Sequence, residues 1–142
     1  YMSVGNNPIN RIDPYGLWIA SIHKSITRNA ALNLNCSKRA EELANANANV
    51  DDNYQDPENA YRHAMVNGYL DKAGQRNDIN NYYNLVQNGI NSCKTEDIGA
   101  ALHALQDSFA PAHSGFKPWK RGRYYKHVSD VIYDEVVAIQ MI

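Results

Sequence analysis

Thr95-Glu-Asp-Ile-Gly-Ala-Ala-Leu-His103-Ala-Leu-Gln-Asp107-Ser-Phe-Ala-Pro111-Ala-His113 begins as a helix and runs into a proline. Thr95 opens it, and Glu96 and Asp97 place negative charge in the first turn, where the helix macrodipole favours it. Ala100, Ala101, Leu102, Ala104 and Leu105 are small or apolar, so the helix is expected to be buried on most sides. His103 and Asp107 stand four residues apart, one turn along the same face. A buried histidine beside a buried carboxylate needs hydrogen-bond partners or a metal. His113 follows just beyond the proline.

Outward from this helix, the body from Trp18 on is expected to be mostly helical. Ser25 to Leu34 is short and amphipathic, and Lys38 to about Ala48 is alanine-rich with Glu41 and Glu42 outward. Asp56-Pro57 is a helix start, with Asp as N-cap and Pro in the first position. That helix is expected to run through Tyr61, His63, Met65 and Tyr69 towards Gly74. Others cover roughly Ile79 to Gln87 and Tyr125 to Met141. The polar stretches Asn45 to Gln55 and Gln75 to Asn81 read as loops or ragged helix ends. Period-two alternation is absent, which argues against a sheet. The expected fold is all-α, a compact helical bundle around a polynuclear metal site.

Residues 1–17 differ in texture, with turn-type pairs such as Gly5-Asn6 and Asn7-Pro8. A boundary is therefore expected between Leu17 and Trp18, with one globular unit over residues 18–142. The 142 residues suffice for a single core. With 44% hydrophobic and 20% charged residues, the chain is not a disordered tail. A formal net charge of −1 argues against a polyanion binder held by charge alone. No run approaches the roughly 18 apolar residues of a membrane span, and the start does not resemble a signal peptide. Cys36 and Cys93 allow one disulfide at most and form no C-x-x-C; reduced, packed thiols are the expectation.

The histidines carry more information. His63, His103, His113 and His127 lie on separate segments, with Asp107 near the second and third and Asp130 close after the last. Imidazole and carboxylate are the ligands zinc takes outside cysteine sites. Taken singly, each has a plainer explanation: His103 as a satisfied core residue, Asp56 as only a cap. Taken together, they point to a metal centre.

The segment Ala101-Leu-His103-Ala-Leu-Gln-Asp107-Ser-Phe-Ala-Pro111-Ala-His113 resembles the H-x3-D-x(2-3)-P-x-H signature of the zinc-dependent phospholipase C and S1/P1 nuclease superfamily. The resemblance implies a helical fold holding up to three Zn2+ ions. It implies a later histidine followed by an acid, here His127 and Asp130, with Asp134 or Glu135 as substitutes because the family spacing falls on Val131. It further implies that His63 is a ligand, paired with an upstream aspartate: Asp51 has the best spacing, and Asp52 is next. The amino group of an N-terminal tryptophan and a nearby histidine complete the set, matching Trp18 and His23 if the chain is cut after Leu17. Pro8-x4-Asp13-Pro14-x-Gly16-Leu17 resembles the end of an Rhs core, the shell protein that releases its toxic C-terminal domain at such a leucine. On these resemblances residues 1–17 are the tail of the Rhs core and residues 18–142 a zinc-dependent hydrolase toxin domain. It would be delivered into a target cell by a specialised secretion system and would need an immunity protein in its producer.

The implied chemistry is phosphodiester hydrolysis by zinc-activated water, with Asp107 between metals and Asp51 or Asp52 near the water. The 14-residue gap from His113 to His127 and the lack of a basic surplus favour a phospholipid substrate, and Phe116, Trp119, Tyr124 and Tyr125 could meet a lipid surface. The basic and aromatic mixture of Lys117–Lys126 suits single-stranded nucleic acid as the alternative. A non-catalytic helical binding module with packed histidines is the third reading.

Overall fold

The computed structural model describes residues 20–110 and 112–120. Their architecture is all-α, with helix α1 at Ala20–Asn33, α2 at Ser37–Asn53, a 3-10 helix at Pro57–His63, α3 at Lys72–Asn91 and α4 at Thr95–Asp107. Among the described residues the extended structure is one parallel pair, β1 (Val66–Asn67) with β2 (Pro118–Trp119). No helix among them is long and apolar enough to cross a membrane. The Leu17/Trp18 boundary, Pro111 and the expected helix at Tyr125–Met141 lie outside the described residues.

Helix α4 is the central element. It lies between α2 and α3, and α1 packs against α2. Small residues make both approaches possible. A Cβ at Gly99 would collide with the Cβ of Ala46 and the backbone of α2, and one at Gly89 would collide with Ala101. Ala40, Ala44, Ala48, Ala101 and Ala104 are all buried. Alanine also costs the helix no side-chain entropy, so the same residues favour the helices and their close packing. With so little side-chain volume in between, polar groups on the facing helices come within direct reach of one another.

Five expectations are corrected. First, α2 continues through Asn45–Asn53, because Ala44, Asn47, Ala48 and Val50 form one buried stripe. Second, the helix begun by Asp56-Pro57 stops at His63. Asp56 caps it as expected, its carboxylate accepting from the Asn59 N–H at 3.1 Å. Ala64 then takes a left-handed conformation with φ 52°. Ala64 N–H bonds to Tyr61 O and Met65 N–H to Ala60 O, the paired bonds of a Schellman stop. The freed chain forms β1, held to α3 by the Asn67 N–H donating to Asp78 Oδ2 at 2.7 Å. Third, Gln75–Asn81 is helical, inside α3. Asp71 starts that helix by accepting from the Gly74 N–H at 2.8 Å. Its Tyr82, Leu85 and Val86 face packs on Ala64 and Ala104 and holds an otherwise polar helix in place. Finally, α1 begins five residues before Ser25 and so includes His23. Cys36 and Cys93 are free and exposed rather than packed.

Candidate metal centre

Five segments each bring at least one ligand-type side chain to a common point. Helix α1 supplies His23, α2 Asp51, the end of the 3-10 helix His63, α4 His103 and Asp107, and the turn after α4 His113. The four histidines and Asp107 are fully buried, and the Asp51 side chain is 9% exposed. Such burial is unusual for so many polar groups and requires compensation.

Asp107 is the hub. Its Oδ1 lies 3.2 Å from His23 Nε2. Its Oδ2 lies 3.1 Å from His63 Nδ1, 3.2 Å from His103 Nε2 and 3.3 Å from His113 Nδ1. Asp51 closes the other side, with Oδ1 3.5 Å from His103 Nε2 and 3.9 Å from His63 Nδ1. Its Oδ2 is 3.9 Å from His23 Nε2. The sets His23–Asp51–His103 and His63–His103–Asp107 each present donor atoms close enough to share one ion.

The outward nitrogens of three histidines meet oxygen acceptors. His63 Nε2 is 3.0 Å from the Tyr54 carbonyl, which can only accept, so this nitrogen carries the proton. His103 Nδ1 donates to Asn47 Oδ1 at 2.9 Å, and His23 Nδ1 to Gln106 Oε1 at 2.8 Å. With its proton on the outward nitrogen, a neutral imidazole turns a lone pair inward. His103 Nε2 and His63 Nδ1 then face each other at 3.0 Å, beside the Asp107 carboxylate. Lone pairs in such proximity repel unless a proton or a cation lies among them. An outward imidazole N–H on an oxygen and an inward bare nitrogen is the arrangement of metal-bound histidine.

Charge in the metal-free chain follows from the same geometry. Burial pulls His23 down, but the Asp107 charge and hydrogen bond, with Asp51 and Gln106, outweigh it and raise its pKa to about 9. Burial and the neighbouring His23 push His103 down to about 3, against the pull of Asp107. Burial alone would raise Asp107, yet His113, His103 and His23 hold it well below the usual carboxylate range. The centre is therefore an anion-rich cage with one retained proton, suited to a cation.

Of the residues singled out in the sequence, His23, Asp51, His63, His103, Asp107 and His113 converge. Asp52 does not: it is exposed, on another side of α2 from Asp51. Asp56 is occupied as the cap of the 3-10 helix, bound to Asn59. Leu17, Trp18, His127 and Asp130, with Asp134 and Glu135, lie outside the described residues. Trp119 is buried with its ring 5.4 Å from that of His63, and Phe116 packs on Tyr82 at 5.1 Å, so neither presents a free aromatic face to a lipid surface. Tyr124 and Tyr125 are outside the described residues. The sequence reading missed Thr27, Asn47, Gln106 and the Tyr54 carbonyl. A usable signal existed for the three side chains, since each sits one turn from a ligand-type residue on its own helix.

No protein-family model matches the chain, and no curated protein or solved structure matches it either.

Proposed function

We propose that the chain is a zinc-dependent phosphodiester hydrolase acting as an effector toxin. The observation that carries this reading is the inward convergence of four buried imidazoles on Asp107, with protons held on the outward nitrogens of His23, His63 and His103. The donor set is nitrogen and oxygen without sulfur, and Asp51 is its one member that reaches solvent. That mixture, open on one side, fits a catalytic zinc better than a closed structural one. His23, His63, His103, His113, Asp51 and Asp107 would hold the metal. Bound zinc supplies Lewis acidity, drawing charge from phosphate oxygens and lowering the pKa of water.

The chain's own residues then have separable roles. Asp107 fixes the spacing of the histidines by meeting four of them. Asp51, at the open side, takes the proton of the attacking water as its oxygen bonds to phosphorus and the ester P–O bond breaks. Asp51 then passes that proton to the leaving oxygen, which departs as an alcohol. No serine or cysteine nucleophile is required.

A phospholipid headgroup remains the first substrate class in this proposal, and nucleic acid the second. The likeness to an Rhs terminus supplies the biological setting: a payload delivered from a shell, with an immunity protein protecting the producer. The test is hydrolysis of mixed phospholipid vesicles and of single-stranded DNA and RNA, with zinc and with chelator. Zinc-dependent cleavage of either class, lost in His103→Ala, supports the proposal. A zinc-loaded chain that cleaves neither overturns it.

A further inference from the structure

We propose that Thr27, Asn47 and Gln106 form one positioning unit that holds the His23 and His103 rings with Nδ1 outward and Nε2 inward, and that keeps the inward nitrogen of His103 free of a proton for the metal; this rests on the zinc reading above. The three are buried, at 3%, 0% and 6% exposure, and the buried apolar side chains among the described residues are largely alanine. Asn47 Nδ2 donates to Thr27 Oγ1 at 2.7 Å and to Gln106 Oε1 at 3.1 Å. Gln106 Nε2 donates to Thr27 Oγ1 at 3.0 Å. Turning Asn47 alone would set its oxygen against Gln106 Oε1, turning Gln106 alone would set amide nitrogen against amide nitrogen, and turning both would aim two carbonyl oxygens at a hydroxyl with one proton. Asn47 Oδ1 must then face His103 Nδ1, and Gln106 Oε1 must face His23 Nδ1.

The placement has a simple register. Helix α1 carries His23 and Thr27, α2 Asp51 and Asn47, and α4 His103 and Gln106. On each helix, a residue of the centre and a residue of the unit are one turn apart on the same face. The two rings so oriented are stacked, centroids 3.9 Å apart and planes at 29°. Without an outward acceptor, His103 would place its proton on Nε2 and donate to Asp107 Oδ2, 3.2 Å away. That proton occupies the nitrogen a metal needs and has to be displaced before binding. The unit therefore acts on affinity through the position of a proton, and partners of this kind are typically worth about 10–100-fold in metal binding.

The test compares the full chain with Asn47→Leu, Asn47→Asp and Thr27→Val. In the zinc-free proteins, two-bond 15N–1H correlation spectra read which nitrogen of His103 bears the proton. Competition with a chromophoric chelator reads zinc affinity. The wild-type chain is expected to carry the proton on Nδ1. Asn47→Leu should move it to Nε2 and weaken zinc binding by about 10–100-fold. Asn47→Asp, which keeps an acceptor, should restore Nδ1–H, and Thr27→Val, which removes only the anchor, should weaken zinc binding by less than Asn47→Leu does. Asn47→Leu that binds zinc as tightly as wild type, with its proton still on Nδ1, overturns the positioning role. If Asn47→Leu does not fold, Thr27→Val with wild-type affinity overturns it instead. A wild-type chain that retains no zinc overturns the zinc reading and is thereby told apart from failure of the positioning role.

Discussion

At the scale of single residues, Asp107 ties the centre together and should be its most sensitive position. Asp107→Asn keeps the shape but removes the charge that four imidazoles face. Zinc affinity should fall by more than the roughly 100-fold upper range seen for outer partners, measured by chelator competition. His23 should lose most of its raised basicity in the same variant. The titration of the zinc-free chain has a definite sign. His23, raised from 6.5 to about 9, contributes stability fully below pH 6.5, and this is lost as pH climbs through 9. His103, depressed from 6.5 to about 3, contributes above pH 6.5 and loses it as pH falls towards 3. Asp107, held below 3.8, adds to the loss on the acid side. Thermal melts of the zinc-free chain should therefore peak near pH 6.5 and decline in both directions. A Tm that rises steadily from pH 6.5 to 9 would contradict this charge arrangement. Zinc binding near pH 7.5 should release about one proton, that of His23, measurable by calorimetry in buffers of different ionisation enthalpy.

At the scale of elements, the close approaches around α4 separate stability from binding. Gly89→Ala and Gly99→Ala each force a methyl into a filled contact and should cost about 1–3 kcal/mol in chemical denaturation. Gly99 faces Ala46 and Asn47 on α2, so its variant should also weaken zinc binding, whereas Gly89→Ala on the α3 side should leave affinity nearer wild type. Asp56→Ala should cost about 1 kcal/mol for the lost cap and leave zinc affinity unchanged. The same elements show what the sequence exposes. Helix α4 was legible because alanine, leucine and the acidic first turn agree, and His103, Asp107 and His113 came with it. The stop at Ala64 was hidden because a non-glycine residue takes the left-handed conformation, and only the paired bonds to Ala60 and Tyr61 reveal it. Helix α3 was read short because Gln75–Asn81 is polar, and its support comes from packing of Tyr82, Leu85 and Val86. Asn47 looked like one of several asparagines in an Asn-Ala run, and only the approach of α1 and α4 makes it internal.

At the scale of the whole molecule, the alanine-lined helix contacts and the polar centre are one design. A thin apolar core brings α1, α2 and α4 close enough for His23, Asp51 and Asp107 to meet, and the metal-free centre is a concentration of lone pairs in a buried space. A ligand that binds the folded chain alone raises its stability by mass action, about 4 kcal/mol at a thousandfold excess over its dissociation constant. Zinc should accordingly raise the Tm by several degrees and chelator should reverse it, whereas a binding module with merely packed histidines would respond to neither. Zinc K-edge X-ray absorption on the dialysed, zinc-loaded chain reads the atoms around the metal directly. The expected spectrum has a first shell of nitrogen and oxygen at about 2.0–2.1 Å with the outer scattering of several imidazoles. Loss of the zinc on dialysis, or a sulfur shell near 2.3 Å from the exposed Cys36 or Cys93, would contradict a histidine–aspartate zinc centre.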